Sequence, residues 1–166
     1  MKRFCTVISF IAVFFSIAPL SWASELKIVH TDPEWKNGEG NVPEKGICSK
    51  HGGGNLTPSL EIRGIPTSSK TLRFMFTDDD HGDEGGHGDF TLQLSGQSTV
   101  QIPSFADNSL PSDMVGGNGH HCSNCDETDY LGPCSGGKGH SYRVNIYARD
   151  GKKNIIAKGT VRLGNF

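Results

Sequence analysis

The chain has 166 residues, with 16 lysines and arginines against 18 aspartates and glutamates and a formal net charge of -2. A mildly acidic chain without a basic cluster is a poor match to nucleic acid. Its 22 glycines and 34% hydrophobic residues point to one loop-rich domain with a modest core. Met1, Lys2 and Arg3 precede an almost wholly apolar run over 4–20, and Ser21, Trp22 and Ala23 place small residues at a cleavage site. That is the pattern of a secretory signal peptide. We expect a leader over 1–23 that is cleaved and a single domain over 24–166, secreted or periplasmic. An apolar run must reach about 20 residues to span a bilayer, so this one is marginal as an anchor, and no transmembrane segment is expected in the mature chain. Losing Lys2 and Arg3 lowers the 16 basic residues by two and takes the net charge from -2 to about -4.

Period-two alternation predicts strands over 26–30, 71–77, 90–94, 100–102, 142–148, 154–157 and 160–163. Leu72, Phe74 and Phe76 alternate with Arg73 and Met75, and Tyr142, Val144, Ile146 and Ala148 alternate with Arg143, Asn145 and Tyr147. Asp150 and Gly151 with Lys152 and Lys153 read as a hairpin tip. No window carries a helical stripe. Short strands broken by Gly, Pro and Asn imply an all-β domain with minor helix, a sandwich or a barrel.

Four cysteines remain once Cys5 leaves with the leader: Cys48, Cys122, Cys125 and Cys134. Export makes two disulfides the expectation, and the spacing does not choose among the three pairings. His120, His121, Cys122 and Cys125 offer zinc-like ligands, but exported thiolates are oxidised before they are metallated, so no metal is expected there.

Two segments could carry chemistry. Residues 130–142 read YLGPCSGGKGHSY, where glycines bring backbone close to a ligand and His140 and Tyr142 project to one side of an extended chain. Residues 78–89 read DDDHGDEGGHGD, acidic groups at a strand end followed by histidines, able to fix an imidazole tautomer or hold a cation. An EF-hand loop is excluded, because Gly82 stands where a third ligand is required. No serine lies in a Gly-x-Ser-x-Gly setting and the cysteines are assigned to bridges, which argues against an enzyme. Asn55-Leu56-Thr57 matches a glycosylation acceptor, Trp35 reads as a core or edge plug, and His30 and His51 read as ordinary packing or surface residues.

In order along the chain, Asn55-Leu56-Thr57-Pro58-Ser59-Leu60 is similar to an Asn-x-Ser-Pro-x-Leu motif and Gly64-Ile65-Pro66 to a Gly-Val-Pro turn. Residues 72–80 are similar to the strand leading into Asp-Pro-Asp-Ala-Pro. Tyr130-Leu131-Gly132-Pro133-Cys134 through Gly139-His140-Ser141-Tyr142 is similar to Tyr-x-Gly-Pro-Cys-Pro-Pro…Gly-x-His-Arg-Tyr. These motifs are those of the phosphatidylethanolamine-binding protein family, the Raf-kinase-inhibitor-like proteins, and the chain resembles its exported bacterial branch. The resemblance implies a Greek-key β-sandwich with a pocket for a small anion or phospholipid headgroup, no cofactor, and action through a partner protein. Carried over by position, the ligand-binding residues are Asp78, Asp80, Gly132, Pro133, His140 and Tyr142, with His87 or Asp89 in the place of a second pocket histidine. A carboxylate on one imidazole nitrogen would leave the other as a donor to an anion, with the amides around Gly132 and the Tyr142 hydroxyl completing a cradle.

The departures from the family pattern are Asp79, His81 and Gly82 in the acidic motif, Ser135 and Gly136 in place of two prolines, and Ser141 in place of an arginine. The helical stretch before the last strand is also missing. An added carboxylate beside the pocket repels phosphate and favours a cation. The alternative reading is therefore an exported divalent-metal-binding protein using the loop 78–89 or the cluster 120–125.

Overall fold

The strongest alternation in the sequence becomes the centre of the larger sheet. The computed structural model describes residues 23–107, 109–116 and 129–166. The leader, His120, His121, Cys122 and Cys125 lie outside the described residues. Nine strands form among those described: β1 (Ser24–Glu25), β2 (Lys27–His30), β3 (Leu60–Arg63), β4 (Thr71–Asp78), β5 (Asp83–Gln93), β6 (Thr99–Ile102), β7 (Met114–Gly116), β8 (Ser141–Arg149) and β9 (Ile155–Asn165). They make a six-stranded sheet in the order β1-β9-β8-β4-β5-β7 and a three-stranded sheet in the order β2-β3-β6. The chain leaves the β4–β5 hairpin for the smaller sheet and returns to lay β8 beside β4, a crossover of the Greek-key kind.

The inner faces are the apolar sets the alternation marks. Leu72, Phe74 and Phe76 of β4 and Tyr142, Val144, Ile146 and Ala148 of β8 are buried against Leu60, Ile62, Val100 and Ile102 of the smaller sheet. Each such side chain contributes roughly 1.5–3 kcal/mol when fully buried. Trp35 is 1% exposed and stacks on His30, filling the core beside a short 3-10 turn over Pro33–Gly38. Short 3-10 turns supply the minor helix among the described residues, and no helix of them is long and apolar enough to cross a membrane.

Several boundaries differ from the expected ones. The separate strands over 154–157 and 160–163 are one strand, β9, because Gly159 does not turn the chain. It lies so close to Leu26 that a Cβ there would sit 2.7 Å from the Leu26 carbonyl oxygen. β3 and β7, at four and three residues, went unmarked. β5 begins at Asp83 rather than 90, so the expected acidic loop is a tight β4–β5 hairpin with a bulge between Phe76 and Asp78. The β8–β9 turn is as expected: Asp150 Oδ1 accepts the amides of Lys152 and Asn154 and joins the two strands with no helix between them.

Candidate ligand site at the end of the large sheet

Asp78 closes β4 and stands opposite Tyr142 on β8, so the antiparallel pairing alone carries the acidic segment to the glycine-rich one. Asp78 is 5% exposed and accepts from every side. Its Oδ1 takes the amides of Asp80 (2.9 Å) and His81 (3.2 Å), its Oδ2 takes His140 Nδ1–H at 2.7 Å, and the Tyr142 hydroxyl donates to the same carboxylate. Burial by itself would raise this carboxyl, but the bonds from His140 and the Asp80 amide outweigh it and hold the group below its usual range. Burial pushes the Tyr142 hydroxyl up to about 12, with the Asp78 charge adding to the effect and the Ser135 hydroxyl opposing it.

Asp80 extends the pairing beyond the strand ends: its exposed carboxylate accepts the Ser141 amide at 2.8 Å, while the Asp79 amide donates to the Ser141 carbonyl at 2.8 Å. One oxygen from each of Asp78 and Asp80 and one nitrogen of His140 lie within 4.8 Å of one another.

His87 joins this group through its ring. Its Nδ1–H donates to the Leu131 carbonyl at 2.9 Å, and its ring meets Tyr142 edge-on with centroids 5.2 Å apart. Gly88 makes this placement possible. Its φ of 142° is open to glycine, and a Cβ there would lie 2.8 Å from the Phe90 ring. Past this kink the strand regains its ordinary alternation, so Asp89 falls on the outer face opposite Met75. There Arg73 grips it with two bonds, Nε to Oδ1 at 2.8 Å and Nη2 to Oδ2. The structure thus brings Asp78, Asp80, His140, Tyr142 and His87 together and places Asp89 with Arg73.

Gly132 and Pro133 are held beneath the group by bonds of their own. The Gly132 amide donates to Asn55 Oδ1 at 2.5 Å, the Pro133 carbonyl accepts from the Cys48 amide at 3.1 Å, and the Cys134 amide donates to the Tyr142 hydroxyl at 3.2 Å. The Leu131 amide donates to the His87 carbonyl. These amides are committed within the protein, so they do not form the expected cradle. Gly132 is required for packing, since a Cβ would lie 2.3 Å from the Gly46 carbonyl oxygen. The Cys48–Cys134 disulfide chooses one of the pairings the sequence left open and ties this segment to 44–55.

Three residues beside the group were not marked in the sequence. Asn55 figured only as a motif residue, yet it sits in the left-handed region (φ 52°) and clamps 130–132, and an asparagine beside glycines and a proline was the available signal. Ser141 and Arg143 were readable only as a departure from a motif and as a solvent-side strand position. Arg143 Nη1 pairs with Asp79 Oδ1 at 2.6 Å, which offsets one of the extra carboxylates.

No family model matches the sequence, and no curated protein matches it. Solved structures similar in fold include the following two. E. coli YbcL, described as a new member of the mammalian PEBP family, superposes with a TM-score of 0.62 at 20% identity, over 84% of this chain and 96% of that one. A putative phosphatidylethanolamine-binding protein homologue, CT736 from Chlamydia trachomatis, superposes with a TM-score of 0.55 at 18% identity, over 86% of this chain and 97% of that one. These likenesses show the fold: an all-β sandwich of the phosphatidylethanolamine-binding-protein type.

Proposed function

We propose, from this fold and the geometry at the end of β4 and β8, that the chain is an exported, non-enzymatic binding protein. Its site accepts a small anionic group of the phospholipid-headgroup kind, and it acts by engaging a partner protein. The observation that carries the reading is the 2.7 Å bond from His140 Nδ1–H to a buried Asp78 carboxylate. It fixes the ring, and Nε2 has no partner among the described residues. With Nδ1 holding the hydrogen, Nε2 accepts while the ring is neutral and donates only once the ring is protonated. The exposed Asp80 carboxylate disfavours a bare dianion and favours a headgroup that pairs its phosphate with an ammonium, such as phosphoethanolamine. A leader-like N-terminus and the Cys48–Cys134 disulfide support export. Asp78 is saturated with donors and both described cysteines are bridged, which supports binding over covalent chemistry.

Calorimetric titration of phosphoethanolamine into wild type and His140→Ala tests this. We expect weaker binding in a variant that still folds and unfolds cooperatively, though at a lower urea midpoint because Asp78 loses a partner, and equal affinities would refute the assignment. The grouping of three potential ligand atoms within 4.8 Å favours a second reading, a divalent cation held by Asp78, Asp80 and His140. Elemental analysis of protein prepared without chelator separates the two, since a folded, metal-free preparation rules the cation out.

A further inference from the structure

Two arginines stand opposite each other on the outer face of the large sheet, next to the pocket but outside it. β8 and β9 pair so that Arg143 lies opposite Arg162, with a register shift between Tyr142 and Arg143. Directly opposed residues bring their Cβ atoms to about 5 Å, where like charges destabilise a sheet. The countercharge is incomplete. Asp79 alone pairs with Arg143, at 2.6 Å. Arg162 is exposed and spends Nη2 on neutral acceptors, Ser141 Oγ and Asn165 Oδ1, each at 3.1 Å. Arg143 Nε is buried and has no hydrogen-bond partner among the described residues.

The other carboxylates nearby are committed elsewhere. Asp78 holds His140, Asp80 accepts the Ser141 amide, and Glu84 accepts from Asn145 Nδ2 (2.8 Å) and the Tyr147 hydroxyl (2.5 Å). Asp79 and Asp80 keep their charge close by, but Arg162 has no carboxylate partner among the described residues. Ser141 and Asn165 hold the Arg162 fork in place before any ligand arrives, which lowers the ordering cost of binding.

We propose that Arg143 and Arg162, with the Ser141 hydroxyl, form an oxyanion site for a phosphate group, separate from the His140 pocket. A guanidinium fork matches two oxygens of a tetrahedral oxyanion, and two forks on neighbouring strands match the group from both sides. Asp79 competes with the ligand for Arg143 and sets the affinity low. The phosphate comes either from solution or from a lipid headgroup. The site does not depend on the pocket, so its failure and the pocket's failure are separable.

The test is an NMR titration of the full chain, following the Nε–Hε resonances of Arg143 and Arg162, with inorganic phosphate in one arm and phosphatidic-acid vesicles in the other. Losing one charge-assisted hydrogen bond weakens binding by about tenfold or more, and we expect that of Arg162→Gln. Asp79→Asn should tighten binding. Arg162→Lys, which keeps the charge and loses the fork, should bind more weakly than wild type, and it stands in should the glutamine variant fail to fold. A response to inorganic phosphate supports a free oxyanion as ligand. A response to vesicles alone, lost in Arg162→Gln, supports a headgroup. No response in either arm, or equal affinities in wild type and both Arg162 variants, overturns the proposal.

Discussion

Asn55 brackets Leu131: its Oδ1 accepts the Gly132 amide at 2.5 Å while its Nδ2 donates to the Tyr130 carbonyl at 3.0 Å. One buried side chain from a loop after a 3-10 turn therefore satisfies two buried backbone groups on a segment more than seventy residues away. Leaving a buried polar group unpaired costs about 1–3 kcal/mol. Asn55→Ala leaves two, and also places alanine at a φ of 52°, so we expect a loss of about 3 kcal/mol or more in urea unfolding. Asn55→Asp keeps the acceptor and loses the donor, and its loss should come from the Tyr130 side alone together with a newly buried charge. A change below about 0.5 kcal/mol in the alanine variant would show that the clamp is not needed.

The Cys48–Cys134 bridge closes a loop with a sequence separation of 86. Loop-closure entropy assigns a bridge of that span about 4 kcal/mol. We therefore expect a reduced sample, or the Cys48→Ser, Cys134→Ser double variant, to unfold at distinctly lower urea. Ligand affinity should fall with it, because the Cys134 amide donates to the Tyr142 hydroxyl and so helps set the Asp78 carboxylate. An unchanged midpoint would mean that Asn55 and the Cys48 amide bond hold 130–134 unaided.

How much of this was legible beforehand depended on whether a residue's role is written in local pattern. The alternation of β4 and β8 marked both strands, and the Asp78 to Tyr142 register followed from their pairing. Motif order brought Asp78, Asp80, His140 and Tyr142 into one group. The placement of Asp89 was not legible, because a single kink at Gly88 decides which of His87 and Asp89 faces inward, and periodicity assumes an unbroken strand. Nor was the use of the amides from Leu131 to Cys134, since a glycine-rich loop that offers donors to a ligand and one that spends them on Asn55 and Tyr142 read the same. The fate of Gly159 went the same way: close approach to Leu26, not a turn, requires the glycine.

Stability should fall in two separate steps on acidification. His30 is buried against Trp35 with Nε2–H on the Arg162 carbonyl at 2.8 Å. Burial lowers its pKa from 6.5, with the Arg162 carbonyl and Asp32 opposing in part. Above 6.5 the ring is neutral folded or unfolded. Below it the unfolded chain takes the proton first, and stability declines until the folded ring also titrates. Asp78 is lowered from 3.8, so its contribution is complete above 3.8 and is lost as pH falls through its folded value. Urea midpoints across this range should show both declines in wild type, only the lower one in His30→Gln, and a smaller lower decline in Asp78→Asn, where Asp32, held low by Lys45, still loses its contribution. A midpoint that stays flat on crossing 6.5 contradicts a neutral, buried His30.

The boundary of the site can be drawn by comparing two aspartates that differ in position by one kink. Asp78 faces inward and carries His140, whereas Asp89 faces outward and carries Arg73, although both are buried. Removing either leaves a hydrogen-bonded side chain without its buried partner, so Asp78→Ala and Asp89→Ala should each destabilise the fold by about 1–3 kcal/mol. Only the first should also free the His140 ring and weaken phosphoethanolamine binding. The second should leave affinity within about twofold, since an interaction on the far face of a packed sheet adds nearly independently to one in the pocket. Calorimetry on both variants, each checked for folding by urea titration, measures the difference. Equal losses of affinity would mean that the Gly88 kink does not separate the two faces, and Asp89 would then belong with the ligand residues.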